Sequence, residues 1–154
     1  MSRRDQIAMT EPEVQEFLNA GRTVVCATSG PRGWPHLMPL WYVLREGELW
    51  AWTYAKSQKV RNLERDPRAT LQVEAGTDYQ ELRGVMIEAD TSIHRDLETV
   101  AALGAELFSR YAGASADDPE VLAAVRAQAA KRVALQFVAR RSASWDHRKL
   151  GGAY

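Results

Sequence analysis

The chain has 154 residues, 45% of them hydrophobic and 26% charged, with 20 Lys plus Arg against 20 Asp plus Glu. Its length suits one compact domain over residues 1–154 with room for a real core. A net charge of zero lacks the basic stripe of a general nucleic-acid binder, and no segment approaches the ~20 apolar residues of a membrane span.

The segment Met1 to Phe17 carries an Arg pair soon followed by Asp5, Gln6 and several glutamates, so it has no signal-peptide core. Thr10 and Glu13 form a capping box, and Val14, Phe17 and Leu18 supply the buried stripe of a first helix ending near Gly21. A β-rich run from Arg22 to Thr28 follows and holds the sole cysteine, Cys26, in an apolar stretch. With no disulfide partner, Cys26 reads as a small core residue suited to a reducing cytoplasm. The turn Ser29 to Gly33 leads into a strand from Pro35 to Leu44, and the turn Arg45 to Gly47 into another from Glu48 to Tyr54. Ser57 then stands as the N-cap of a short amphipathic helix carrying Val60 and Leu63, which Asp66-Pro67 ends.

Strands are expected from Arg68 to Val73 and from Leu82 to Ile93, helices from about Asp96 to Tyr111 and from Asp118-Pro119 to about Lys131. The loop from Ala112 to Asp117 separates those helices. A last strand runs from Arg132 to about Ser142, before a polar tail from Trp145 to Lys149. Six strands in hairpin order with few helices predict a mainly β, antiparallel barrel with flanking helices.

The span Trp52 to Glu74 concentrates chemistry. A helix start offers unpaired N–H groups and partial positive charge, and Thr53, Lys56, Ser57 and Lys59 add hydroxyls and cations at the same place. That pattern predicts a phosphate cradle, although a solvated connector between two strands has the same local look. His36, His94 and His147 are scattered, so no metal is expected. No G-x-S-x-G elbow, Walker or dinucleotide glycine pattern is present. A phosphate site with flanking aromatics and no acid-base pair fits a protein whose cofactor supplies the reactive atoms.

The order of strand Pro35 to Leu44, strand ending Trp52-Thr53, turn Lys56 to Lys59, and the stretch K-x-R-N-L-x-R-D-P-R-A from Lys59 to Ala69 resembles the pyridoxamine 5′-phosphate oxidase-like split β-barrel superfamily. The resemblance covers nearly the whole chain and is greatest to the actinobacterial flavin/deazaflavin oxidoreductase B group. The final stretch Ser144 to Gly152 looks like a tail found in one subset.

The resemblance implies a six-stranded antiparallel split β-barrel of the FMN-binding type that forms a homodimer with cofactor sites at its interface. Leu37, Met38, Pro39, Leu40 and Trp41 would line the cofactor ring, and Trp52 and Thr53 would flank its ribityl phosphate. Ser57, Gln58 and Lys59 would bind the phosphate, Gly84 would allow close approach from a second wall, and Trp145 would reach in from the partner subunit. His147-Arg148 does not reproduce the arginine-histidine motif of the oxidases proper. Lys56, Arg61 and Arg148 would suit the anionic tail of coenzyme F420. The implied reaction is hydride transfer between the deazaflavin and a small conjugated organic substrate, the second proton coming from solvent, Tyr42, Tyr54 or His36. An FMN-binding oxidoreductase of the same fold and a non-catalytic cofactor or tetrapyrrole binder are the alternatives.

Overall fold

The computed structural model describes residues 1–152. Two capped helices, α1 (Arg3–Ile7) and α2 (Glu11–Ala20), open it. Both carry the reciprocal capping box, Ser2 with Asp5 and Thr10 with Glu13. Seven strands follow: β1 (Val24–Ser29), β2 (Pro35–Leu40), β3 (Val43–Arg45), β4 (Glu48–Tyr54), β5 (Arg68–Ala75), β6 (Arg83–His94) and β7 (Arg132–Asp146). Helix α3 (Gln58–Arg65) joins β4 to β5, while α4 (Leu97–Ala112) and α5 (Pro119–Ala129) fill the connection from β6 to β7. Short 3₁₀ turns lie at Tyr79–Glu81 and His147–Leu150. Among the described residues no helix is long and apolar enough to cross a membrane.

All pairings are antiparallel, in the order β2-β1-β5-β6-β7-β4-β3. Consecutive strands β2 and β3 therefore lie at opposite edges, linked only by Trp41 and Tyr42. So short a link spans at most ~11 Å at ~3.6 Å per residue. The sheet must curl until its edges nearly meet, which makes a barrel split between β2 and β3.

The count of seven corrects the expected six, because the single strand predicted from Pro35 to Leu44 breaks at Trp41-Tyr42. The Tyr42 backbone leaves the ladder for side chains of α4. Its N–H donates to the Tyr111 hydroxyl at 3.0 Å, and its carbonyl accepts from Arg110 and from Tyr111. At the other end, β7 runs past Ser142 to Asp146, since β6 pairs with it as far as Arg83↔Asp146 and Gly84↔Trp145. Trp145 and Asp146 thus belong to a strand and not to a polar tail.

Alternation divides the barrel wall into two faces. Leu49, Ala51 and Thr53 of β4 point inward, as do Ala69, Leu71 and Val73 of β5, and the apolar ones join Cys26, Val60, Leu63 and Leu135 in the main core. Trp50 and Trp52 point outward and pack with Val100, Leu103 and Leu107 of α4 in a second cluster.

Candidate functional site

The alternation of β4 decides where the predicted site residues go. Thr53 and Trp52 are neighbours in sequence but occupy opposite faces of the wall, so they cannot flank one group from the same side.

On the inner face, α3 folds back over the barrel mouth because Lys59, Val60, Asn62 and Leu63 recur at helical spacing and are all buried. Lys59 is only 7% exposed, and its Nζ donates to Thr53 Oγ1 at 2.9 Å. An ammonium has three protons to donate, and burial without a carboxylate pushes the Lys59 pKa below its ordinary value. Asn62 is fully buried, donating from Nδ2 to Thr28 Oγ1 at 3.0 Å and accepting from Gln58 Nε2 at 2.8 Å.

Two buried atoms beside this network have no partner among the described residues, Ser57 Oγ and His36 Nδ1. Ser57 sits at the N-cap of α3 without making the capping bond, and Arg61 is the first helix amide to find a carbonyl, at Ser57. The amides of Gln58, Lys59 and Val60 therefore have no intrahelical acceptor. His36 faces the same way as its register partner Thr28, over α3. A half-satisfied buried cation, an orphaned hydroxyl and free helix amides fit the chemistry of a phosphate.

The spacing around α3 points to Thr53, Lys56, Ser57 and Lys59, and the family resemblance adds Gln58, but neither singles out Asn62 or Thr28 for the site, and His36 enters only as a proton source. The signal for Asn62 was its i+3 spacing from Lys59, which places it on the buried stripe. Lys56 is exposed in the turn before α3.

On the outer face, Pro39, Leu40, Trp41 and Trp52 meet Leu107, Phe108, Ala112, Gln128 and Arg132 around a hollow of about 570 Å³. Trp41 stacks on Tyr111 with centroids 4.4 Å apart, and Trp52 meets Phe108 edge-on. Leu37 and Met38 lie exposed on edge strand β2.

Gly84 and Trp145 pair across β6 and β7, with β1 and β5 between Gly84 and β2. A Cβ on Gly84 would run into the Trp145 indole, so the space beside this glycine is taken by that ring. Cys26, its thiol pushed up to about 12 by burial, is no nucleophile. Tyr42 is fully buried with its hydroxyl donating to the Leu18 carbonyl at 2.5 Å, and burial raises its pKa. It is held as a structural group. No group of three or more metal-ligating side chains occurs among the described residues.

No curated protein matches the chain. The crystal structure of a conserved hypothetical protein from Mycobacterium tuberculosis is similar over 100% of this chain and 95% of its own, at 42% identity and a TM-score of 0.91. A solved F420 reductase is similar at 22% identity and a TM-score of 0.66, covering 84% of this chain and 94% of its own. The heme storage protein of Vibrio cholerae is similar at 18% identity and 0.66, covering 88% and 94%. The last two likenesses show the fold alone. Residues 10–146 match the family model of pyridoxamine 5′-phosphate oxidase, and with a split barrel of this topology around them the chain belongs to that family.

Proposed function

We propose that the protein is an oxidoreductase that binds coenzyme F420 through its phosphate at the α3 cradle, works as a homodimer, and transfers a hydride to or from a small conjugated organic substrate. The observation that carries this reading is the buried Lys59 ammonium, held among the described residues by Thr53 alone, together with the Ser57 hydroxyl, which has no partner among them. A site that leaves a cation and a hydroxyl so underused in the protein by itself is pre-organised for an anion.

Ser57, Lys59 and the amides opening α3 would hold the phosphate, with Thr53 orienting the Lys59 ammonium. Leu37 to Leu40 of edge strand β2, with Trp41 just beyond its end, would line the ring. The exposed cations Lys56 and Arg61 favour a ligand whose negative charge continues beyond one phosphate. When bound, the coenzyme supplies the hydride-carrying ring. The chain's own part is to position that ring and its substrate and to exclude water between them.

Fluorescence titration of the protein with coenzyme F420, and separately with FMN, tests the reading. The deazaflavin is expected to bind more tightly, and Lys59→Ala to weaken it by about 1.5–3 kcal/mol, the range for a charge-assisted contact. Preference for FMN would reassign the cofactor within the same cradle. Binding of neither, or binding indifferent to Lys59, would overturn the proposal and leave a non-catalytic or tetrapyrrole-binding role.

A further inference from the structure

The outer-face hollow differs in kind from the phosphate cradle: its walls are aromatic and it holds one cation. Arg132, the first residue of β7, pairs in register with Tyr54, and its guanidinium lies over the Tyr54 ring at 4.1 Å and the Trp52 ring at 4.6 Å. Contact with the two rings fixes the guanidinium in place through its face and leaves its N–H groups to make hydrogen bonds. That edge is nearly idle. Nη2 reaches Gln128 Oε1 only at 3.4 Å, and the buried Nε has no partner among the described residues.

Contrast with the other large hollow, of about 530 Å³ over β1, β5 and β6, sets Arg132 apart. The arginines there, Arg68 and Arg140, are already matched to Asp66 at 2.8 Å and Asp90 at 2.7 Å. Arg132 has no carboxylate within ion-pair distance among the described residues, and no acid lines its hollow. An arginine held by two rings, with a buried Nε that has no partner among the described residues, is a fork suited to a planar anion.

The remaining walls describe the rest of the ligand. One face of Trp41 is covered by Tyr111, yet the residue is 58% exposed, so the other face is open for stacking. Trp52 and Phe108 stand nearly perpendicular, at 87°, and offer both an edge and a face. About 570 Å³ lies in the range of pockets that enclose small organic molecules, roughly 300–1,000 Å³.

We propose that this hollow binds a planar, conjugated carboxylate, its ring system against Trp41, Trp52 and Phe108 and its carboxylate on the edge of Arg132. That such a ligand is the redox substrate rests on the function proposed above; the binding site itself does not.

Calorimetric titration of the protein, without any coenzyme, with 2-naphthoate and with its neutral isostere 2-naphthamide tests the proposal. The acid is expected to bind at least tenfold more tightly than the amide. Arg132→Gln should bring the acid to the level of the amide without changing the amide, and Phe108→Ala should weaken both. In the unmodified protein, naphthoate should shift the indole N–H resonances of Trp41 and Trp52, a readout that stands even if Arg132→Gln fails to fold. Equal affinity for acid and amide, an undiminished preference in Arg132→Gln, no saturable binding, or unmoved indole signals would overturn it. Because no coenzyme is present, failure here leaves the Lys59 cradle standing, and failure of the coenzyme titration leaves this site standing without its redox role.

Discussion

Lys59 shows how one buried cation can make a site pH-sensitive. Its pKa is lowered because burial disfavours the ammonium, and Thr53 is a neutral partner that offsets little of that cost. A bound phosphate would need the ammonium. Raising pH through the lowered Lys59 pKa should therefore weaken binding of the phosphate ligand, on a limb below the ordinary lysine value of about 10.4. In Lys59→Met that limb should vanish and affinity stay low throughout, as read by titrations across pH. The linkage for the unliganded fold has the opposite sign. Between the folded and unfolded pKa values the unfolded chain binds the extra proton, so stability should rise with pH there relative to Lys59→Met. A binding profile equally steep in the variant would assign the limb to another group.

At the scale of elements, Arg110 of α4 organises the split. Its guanidinium lies 4.6 Å from the centroid of the Tyr42 ring and donates to the carbonyls of Asn19 at 2.9 Å, Gly21 at 2.5 Å and Tyr42. The end of α2, the break between β2 and β3, and α4 thus meet at one side chain, a cation on the exposed carbonyls of a helix C-terminus. Arg110→Ala would leave several of these acceptors without a donor, and denaturant unfolding should show a loss of about 2–4 kcal/mol. Arg110→Lys should recover only part of it, because a point charge cannot fork to carbonyls on two elements. A change within about 0.5 kcal/mol for the alanine variant, the scatter of an ordinary surface substitution, would show that the break is set elsewhere.

At the scale of the molecule, one group of exposed apolar side chains lies on and beside edge strand β2: Trp34 is 74% exposed, Leu37 57% and Met38 42%. An edge strand with such side chains is a surface that folded proteins cover. A second copy of the chain is the proposed cover, which would put Trp34, Leu37 and Met38 at an interface beside the cofactor. Sedimentation should give a dimer. Leu37→Asp should weaken it by about 2 kcal/mol or more, as expected for a charge placed in an interface centre. A monomeric unmodified protein would remove the interface site while leaving the α3 cradle intact.

Local patterns sufficed for much of this. The capping box at Thr10, the alternation in β4 and β5, and the dense run from Lys59 to Ala69 follow from spacing that a one-dimensional string records, and they pointed to a mainly β barrel and to α3 as an anion site. What spacing cannot record is which partner a strand or side chain finds across the fold. The break at Tyr42 depends on Arg110 and Tyr111 arriving from α4, and the extension of β7 to Asp146 depends on the length of β6. Thr53 and Trp52 look like one site in sequence, yet pleating sends them to opposite faces of the wall. Arg132 shows nothing in sequence beyond the start of a strand. Only its register with Tyr54, and the packing of α4 on β4 and of α5 on α4 and β7, set its nearly idle edge in an aromatic hollow.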